Sequence, residues 1–266
     1  YYVSQTQNTC ESERASIQVN VAVNESPSVG ITSPSNNSEA IAGKTLDIEV
    51  LTSDNDGSVV KVEYYNGATK LGESTTSPFT CSIVNPQQGI YNITAVATDN
   101  LGAKTTSSSI EITLFEQQTI NLQAGLNLIS LWLEPKNTNI DSVFKSIIPE
   151  IREIKTADAF WNKQNQTFLN SLKNIRMADA YFVAASSAVT LTVKGTAATN
   201  PSIALPAASG WNMIGCPFKT PTDINTAFDI SKINVIKNFD EFWISGETKS
   251  NMSEISPGKG YFIKIK

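Results

Sequence analysis

The strongest constraint on this chain is that a stretch of its own sequence occurs twice. Gly125-Leu126-Asn127-Leu128-Ile129 returns as Gly210-Trp211-Asn212-Met213-Ile214, IKTADAFW (154–161) as IKNFDEFW (236–243), and IRMADAYFV (175–183) as ISPGKGYFI (255–263). The offsets are 85, 82 and 80 residues, so the drift between copies is small and belongs to loops. Three blocks matched in the same order mark an internal duplication. Each copy reads as a strand, a short helix and two or three further strands rich in Val, Ile, Phe, Tyr and Trp. The helix candidates follow Asp141 and Asp223, both residues suited to N-capping. One copy alone is near the lower size limit for an independent core, so the two are expected to pack as one pseudo-symmetric unit.

Upstream of the duplication, short strand patterns recur with turn signals between them: VGITSP, TLDIEVLTSD, SVVKVEYYNG, SPFTCSIV, GIYNITAVATD and TTSSSIEITL. This spacing reads as a β-sandwich. Alternation is clean in Leu46, Ile48 and Val50, and again in Tyr91, Ile93, Ala95 and Ala97. Asp56-Gly57 and Asn66-Gly67 are expected to make hairpin turns, because Gly tolerates positive φ. The polar run Val23 to Pro27 predicts a boundary. Before it, Ala15, Ile17, Val19, Val21 and Val23 alternate as a half-buried strand, and Tyr1 to Thr6 form its partner across NTCESE. A lone hairpin is marginal in water, so residues 1–23 are expected to pack on a neighbour or to be the end of a domain that begins earlier.

Three strings carry resemblances. YYVSQT-x-x-x-CESERA-x-I-x-V resembles the last two strands of Ig-like modules repeated in secreted proteins of Bacteroidetes such as cytophagas. That resemblance implies that the partner of Cys10 lies earlier in the same module. DNDGSVVKVEYYNGATKLG, followed by SPFT and GIYNITAVATDNLGA, resembles a bacterial Ig-like domain. Such domains are frequently appended to polysaccharide-degrading enzymes, usually as spacers. The duplicated part resembles a paired GWNLIG…FDGFW…PGKGYW module on the C-terminal side of large secreted bacterial proteins. The second copy matches through Trp211, Asp240, Trp243 and Pro257 to Tyr261. The first has Leu126 in place of the Trp, and Met177-Ala178-Asp179-Ala180 in place of Pro-Gly-Lys-Gly. No settled biochemical role comes with this module.

The expected fold is therefore mainly β: an Ig-like β-sandwich plus a duplicated β-rich (α+β) pseudo-symmetric module with short helices. The expected division is 1–23 as the terminal β-hairpin of a truncated Ig-like module, 24–115 as the sandwich and 116–266 as the duplicated module. Its copies are placed at 119–199 and 200–266.

Composition narrows the chemistry. The chain has no histidine, which excludes Ser-His-Asp and Cys-His catalysis within it and removes the commonest zinc ligand. The three cysteines, Cys10, Cys81 and Cys216, form no CxxC motif. Cys81 and Cys216 stand in apolar contexts and read as buried small hydrophobes. A net charge of −5 with scattered basic residues argues against a nucleic-acid partner. No apolar run is long enough for a membrane-spanning helix. PGKGY (257–261) lacks the spacing and helical context of a phosphate loop and reads as a turn.

Two constellations remain. Trp161 and Trp243 occupy equivalent positions, and exposed aromatics stack on the C–H faces of sugars. With Asp158, Asp240 and Tyr261 beside them they are candidate carbohydrate-binding residues. The competing reading, which is preferred, is that the tryptophans pack in the core, most strongly so for Trp211 in its apolar strand. Asp54, Asp56 and Asp99 lie on loops that meet at one end of an Ig-like sandwich and are candidate ligands for calcium, the one cofactor the sequence suggests. Here too the simpler alternative, turn-capping by Asp and Asn, is preferred. No pair of carboxylates stands out as a glycosidase acid and base. The expected function is non-catalytic: a spacer and polysaccharide-binding segment, secreted or on the outer cell surface, serving a catalytic module elsewhere in the parent chain. Adhesion to a protein partner is the alternative.

Overall fold

A computed structural model of the protein describes residues 2–16, 18, 23–205 and 209–266. It is mainly β, with 50% strand and 6% helix. None of its described helices is long and apolar enough to cross a membrane. The chain divides into two compact units: the first holds 1–38, 45–84 and 91–112, the second 39–44, 85–90 and 113–266.

In the first unit, Leu46–Ser53 lies between Ser28–Ser33 and Cys81–Ile83. A second antiparallel set runs Thr69–Ser74, Val59–Asn66, Gly89–Asp99, with Lys104–Thr106 also paired to Gly89–Asp99. Period-two alternation puts Leu46, Ile48, Val62, Tyr64, Ile93, Ala95 and Ala97 in the interior. Fully buried Tyr64 donates its hydroxyl to the carbonyl of Phe79, and burial pushes its pKa up to about 12. Cys81 is half-buried and Cys216 buried, both as free thiols. Burial raises each, Cys216 to about 11.

Asn66-Gly67 turns between paired strands as expected, with Gly67 at φ +57°. Asp56-Gly57 does not, because the strands on either side of it belong to different sheets. Gly57 sits close to two side chains there: a Cβ would lie 2.2 Å from Oδ1 of Asn100 and 2.7 Å from Oδ2 of Asp54, so those side chains would have to shift. The N-terminal hairpin pairs Tyr2–Val3 with Ala15–Ser16 and Thr6–Gln7 with Cys10–Glu11. Its tip is shorter than the sequence suggests, Asn8-Thr9, both at positive φ. The predicted continuation through Ile17, Val19 and Val21 and the side chain of Cys10 lie outside the described residues.

The second unit contains the duplication. In copy one the sheet order is Gly125–Ser130, Ala180–Ala185, Ile151–Lys155, Phe160–Asn162. In copy two it is Gly210–Gly215, Gly260–Ile265, Ile233–Lys237, Phe242–Ile244. Even the irregularities match, with register shifts between Ile151 and Glu153 and between Ile233 and Val235. Each copy has a one-turn helix, Ile140–Val143 and Ile224–Ala227. Asp223 caps the second by accepting from the Asn225 amide at 2.8 Å. The first is capped by Asn139 rather than Asp141: its Oδ1 accepts the Asp141 amide at 2.9 Å, so Asp141 sits inside the first turn.

Copy one carries additional cover. Val189–Ala197 pairs with Leu133–Pro135 and with Glu116 to Leu122, and Leu191, Val193, Ile120, Leu122 and Leu133 join its core. Copy two closes a smaller core around Ile233, Ile236, Tyr261 and Ile263, with Ile203, Leu205 and Phe218 packed against it.

Candidate functional site

The two copies meet through reciprocal backbone bonds. The Ser130 amide donates to the Gly258 carbonyl at 3.1 Å, and the Gly215 amide donates to the Ala178 carbonyl at 2.7 Å. Ser130 is the counterpart of Gly215, and Ala178 of Gly258, so each bond is the other's image under the internal pseudo-symmetry. Fully buried Ser130 adds to the junction: its hydroxyl donates to the Lys259 carbonyl at 2.7 Å and accepts the Cys216 amide at 2.9 Å. Glycines at 215 and 260 permit the approach. A Cβ on Gly215 would lie 2.6 Å from backbone atoms of Ala178 and Asp179, and one on Gly260 3.0 Å from the Ile129 carbonyl oxygen. Each junction turn is held from within its own copy by a buried tyrosine. Tyr181 accepts the Arg176 amide at 2.8 Å and Tyr261 the Ser256 amide at 2.7 Å.

This junction creates two grooves, and each draws on both copies. One, of about 490 Å³, is lined by Thr156, Ala157, Asp158 and Asp179 from copy one and by Trp211, Met213 and Phe262 from copy two, among others. Its counterpart, of about 400 Å³, has Leu126 and Leu128 from copy one with Asn238, Phe239, Asp240 and Lys259 from copy two. Leu126 stands where Trp211 stands in the first groove, Phe239 where Ala157 stands, and Lys259 where Asp179 stands.

These grooves reorder the candidate residues. Trp161 is only 9% exposed and belongs to the core of copy one, paired across strands with Ile154. Trp243 is half-buried against the core of copy two, opposite Ile236. Tyr261 is fully buried; its hydroxyl serves the Ser256 amide, and burial pushes its pKa up to about 12. The candidate platform of Trp161, Trp243 and Tyr261 is not assembled: Trp161 and Tyr261 are buried, and Trp243 is half-buried against its own core. Asp158 and Asp240 remain exposed, but in different grooves.

The exposed tryptophan is Trp211, which sequence reasoning assigned most firmly to the core. It is 51% exposed. Along Gly210–Gly215, Ile214 points into the core, so a period of two sends Trp211 and Met213 to the opposite face. Lys237 holds its ammonium 4.9 Å from the Trp211 ring centre and 5.8 Å from that of Phe262, and does not line the groove. Phe262 packs on its counterpart Phe182 at 5.7 Å, and Phe182 stacks on Phe239 at 6.1 Å. The outer face therefore carries a row of three rings, Phe239, Phe182 and Phe262, and the Lys237 ammonium links Phe262 to Trp211.

The groove beside Trp211 is acidic. The Asp158 carboxylate has no hydrogen-bond partner among the described residues, while its own backbone is fixed in a turn by the Thr156 hydroxyl. Asp179 accepts from the Tyr181 hydroxyl at 3.2 Å. Burial raises its pKa, outweighing the lowering by Tyr181 and Arg176. Chemically, this groove offers one flat aromatic wall, an apolar floor and two hydrogen-bond acceptors.

The loops bearing Asp54, Asp56 and Asp99 do meet, but not as a calcium cage. Both oxygens of Asp99 are committed: Oδ1 accepts the Leu101 and Ala103 amides at 2.9 Å, and Oδ2 accepts from Asn24 at 2.9 Å. Asp56 accepts the Glu25 amide at 3.0 Å. Of these three, it is Asp54 whose carboxylate oxygens are buried without a hydrogen-bond partner among the described residues. Among the described residues, no three His, Cys, Asp or Glu side chains are placed to hold a metal ion. In place of the candidate calcium site there is a clamp in which Asp99 and Asp56 tie the stretch Asn24-Glu25 to the loops. Burial raises the Asp54 pKa, helped by the Asp56 and Asp99 charges. Burial also acts to raise Asp99, but hydrogen bonds from Asn24, Leu101, Ala103 and Gly102 outweigh it and hold its pKa low.

No curated protein sequence matches the chain. Among solved structures, the fibronectin(III)-like modules of Clostridium thermocellum CbhA are similar at 33% identity, over 33% of this chain and 94% of that one, with a TM-score of 0.31. A structure of carbohydrate-binding modules from the β-sandwich superfamily is similar at 12% identity over 65% of this chain and 97% of that one, with a TM-score of 0.30. Bacteroides uniformis β-glucuronidase is similar at 11% identity over 66% of this chain, which spans 30% of that one, with a TM-score of 0.31. The model of the bacterial Ig domain family matches residues 27–95. Residues 27–95, which carry the strands and loops of the first unit from Ser28 to Ala95, are therefore a bacterial Ig domain, a kind of module typical of surface or secreted bacterial proteins.

Proposed function

We propose that this chain is a non-catalytic accessory region of a secreted or surface-exposed multimodular bacterial protein. In this reading the Ig domain is a spacer, and the duplicated module binds a polysaccharide on behalf of a catalytic module elsewhere in the parent protein. The observation that carries it is Trp211, half exposed on the wall of a groove that also presents Asp158 and Asp179. A pyranose has an apolar C–H face and a rim of hydroxyls. A flat indole matches the first and carboxylates match the second. The bacterial Ig domain, a module frequently appended to polysaccharide-degrading enzymes as a spacer, supports the accessory role over a hydrolytic one.

The test is retention of the purified chain on insoluble polysaccharides and on a glycan array, with Trp211→Ala beside the parent and reducing ends assayed in parallel. Retention is expected for the parent and lost for Trp211→Ala, with no release of reducing sugar. Failure of the parent chain to bind any glycan sinks the reading, and release of reducing ends overturns its non-catalytic part. Adhesion to protein is the second reading, favoured by exposed Phe160, Phe239 and Phe242 on the same module.

A further inference from the structure

The two grooves have the same backbone but opposite side-chain chemistry at one equivalent position, and this bears on which sugars the module takes. In the Trp211 groove that position is Asp179, and Asp158 supplies a second carboxylate. In the counterpart groove it is Lys259, bound to Glu241 at 3.0 Å, and the strand aromatic is replaced by Leu126. The ring there belongs to Phe239, which is stacked on Phe182.

Resting on the carbohydrate-binding reading above, we infer that the module has one sugar site per chain, in the Trp211 groove, and that this site takes glycans whose residues carry neither carboxylate nor sulfate. Two carboxylates on one wall repel a uronate or sulfate ester brought against the indole. Among the described residues no Lys or Arg lines the groove, and the Lys237 ammonium is held over the rings of Trp211 and Phe262. Both carboxylates present acceptor oxygens, which suits the hydroxyl rim of an uncharged sugar. Rejection of a wrong ligand by like charge is a general route to specificity. The counterpart groove lacks both the half-exposed indole and the second carboxylate, so duplication of the fold has not duplicated the site.

Affinity electrophoresis of the whole chain in gels containing a neutral β-glucan, a neutral mannan, polygalacturonate or alginate separates these points. Retardation by a neutral glycan is expected, with about tenfold weaker retardation or none by the two polyuronates at low salt. Asp158→Asn and Asp179→Asn together are expected to narrow that preference, while Asp240→Asn, at the position equivalent to Asp158, is expected to change nothing. Thermal melts of each variant report whether it is folded. Polyuronates retarding the chain as strongly as neutral glycans overturn the inference and leave carbohydrate binding intact. Loss of retardation in Asp240→Asn comparable to that in Trp211→Ala overturns the single-site assignment. Absence of retardation by all four polymers removes the underlying reading itself.

Discussion

Copy one and copy two of the duplicated module share a hydrogen-bond skeleton and differ in what fills it. Both keep the sheet order, the register shift, the capped one-turn helix and the buried tyrosine that accepts an amide five residues back. The turn before that tyrosine has diverged. Copy two uses Gly258 at φ +86°, and copy one places Ala178 at φ +66° in the same role. On the junction strand the direction is reversed: copy two has Gly215 where copy one has Ser130, whose hydroxyl is fully engaged. The comparison teaches that backbone bonding is the common requirement, while side chains at equivalent points answer to local space and charge.

The shared backbone bonding of the two copies is tested most severely at Gly215. If close approach of the copies sets the residue there, Gly215→Ala must displace the backbone of Ala178 and Asp179, since no flexible side chain stands in the way. A loss of roughly 3 kcal/mol in the second unit is expected by denaturant melting. An unchanged melt would mean that the junction is looser than the bonds across it imply.

Tyrosine-to-phenylalanine changes come next. Tyr181→Phe and Tyr261→Phe each leave a backbone amide without its acceptor, at a cost of about 1–2 kcal/mol apiece. Similar losses support equivalent roles, whereas a large difference between the two denies them. At the turn itself, Ala178→Gly should stabilise by about 0.5–1 kcal/mol and Gly258→Ala should destabilise by a similar amount, because left-handed backbone disfavours a Cβ. Shifts of the same sign would remove the turn from the explanation.

The smallest effect belongs to the Ig domain, where Asp54 and Asp99 make a comparison of their own. Asp54 has a raised pKa when folded, so the native state holds its proton longer and stability from this group falls as pH rises from its ordinary value through the raised one. Asp99 has a lowered pKa, so its contribution is present above the ordinary carboxylate value and is lost as pH falls through the lowered one. Asp54→Asn is expected to raise the melting temperature slightly at neutral pH, and calcium is expected to leave it unchanged. A calcium-dependent rise that disappears in Asp54→Asn would restore the metal site in place of the clamp.

Much of the fold was legible because alternation and repetition report directly on burial. Ile48, Ile93, Ala95 and Ala97 fall inside, Gly67 turns its hairpin, and Asp223 caps its helix. The candidate site was harder to read. Trp211 belongs to an apolar strand, and hydrophobicity alone does not say which face of a strand is covered. Its counterpart Leu126, itself 57% exposed, lies on the same face, so anchoring the period on Ile129 and Ile214 would have found it. Asp179 looked like a mere departure from a Gly-rich turn, and its groove exists only once the other copy is in place. Ser130 is a lone hydroxyl in an apolar run, and its partners Lys259 and Cys216 are distant in sequence.

The paired bonds from Ser130 to Gly258 and from Gly215 to Ala178 have the pattern of two like subunits associated about a dyad, here written into a single polypeptide. Every contact of that dyad joins one half of the sequence to the other, and none of them depends on the segment that links the halves. Severing the chain between residues 199 and 200 leaves all the junction bonds with both of their partners. The covalent link then acts as a tether that sets the effective concentration of one half for the other, and the surface between them is that of a dimer made permanent.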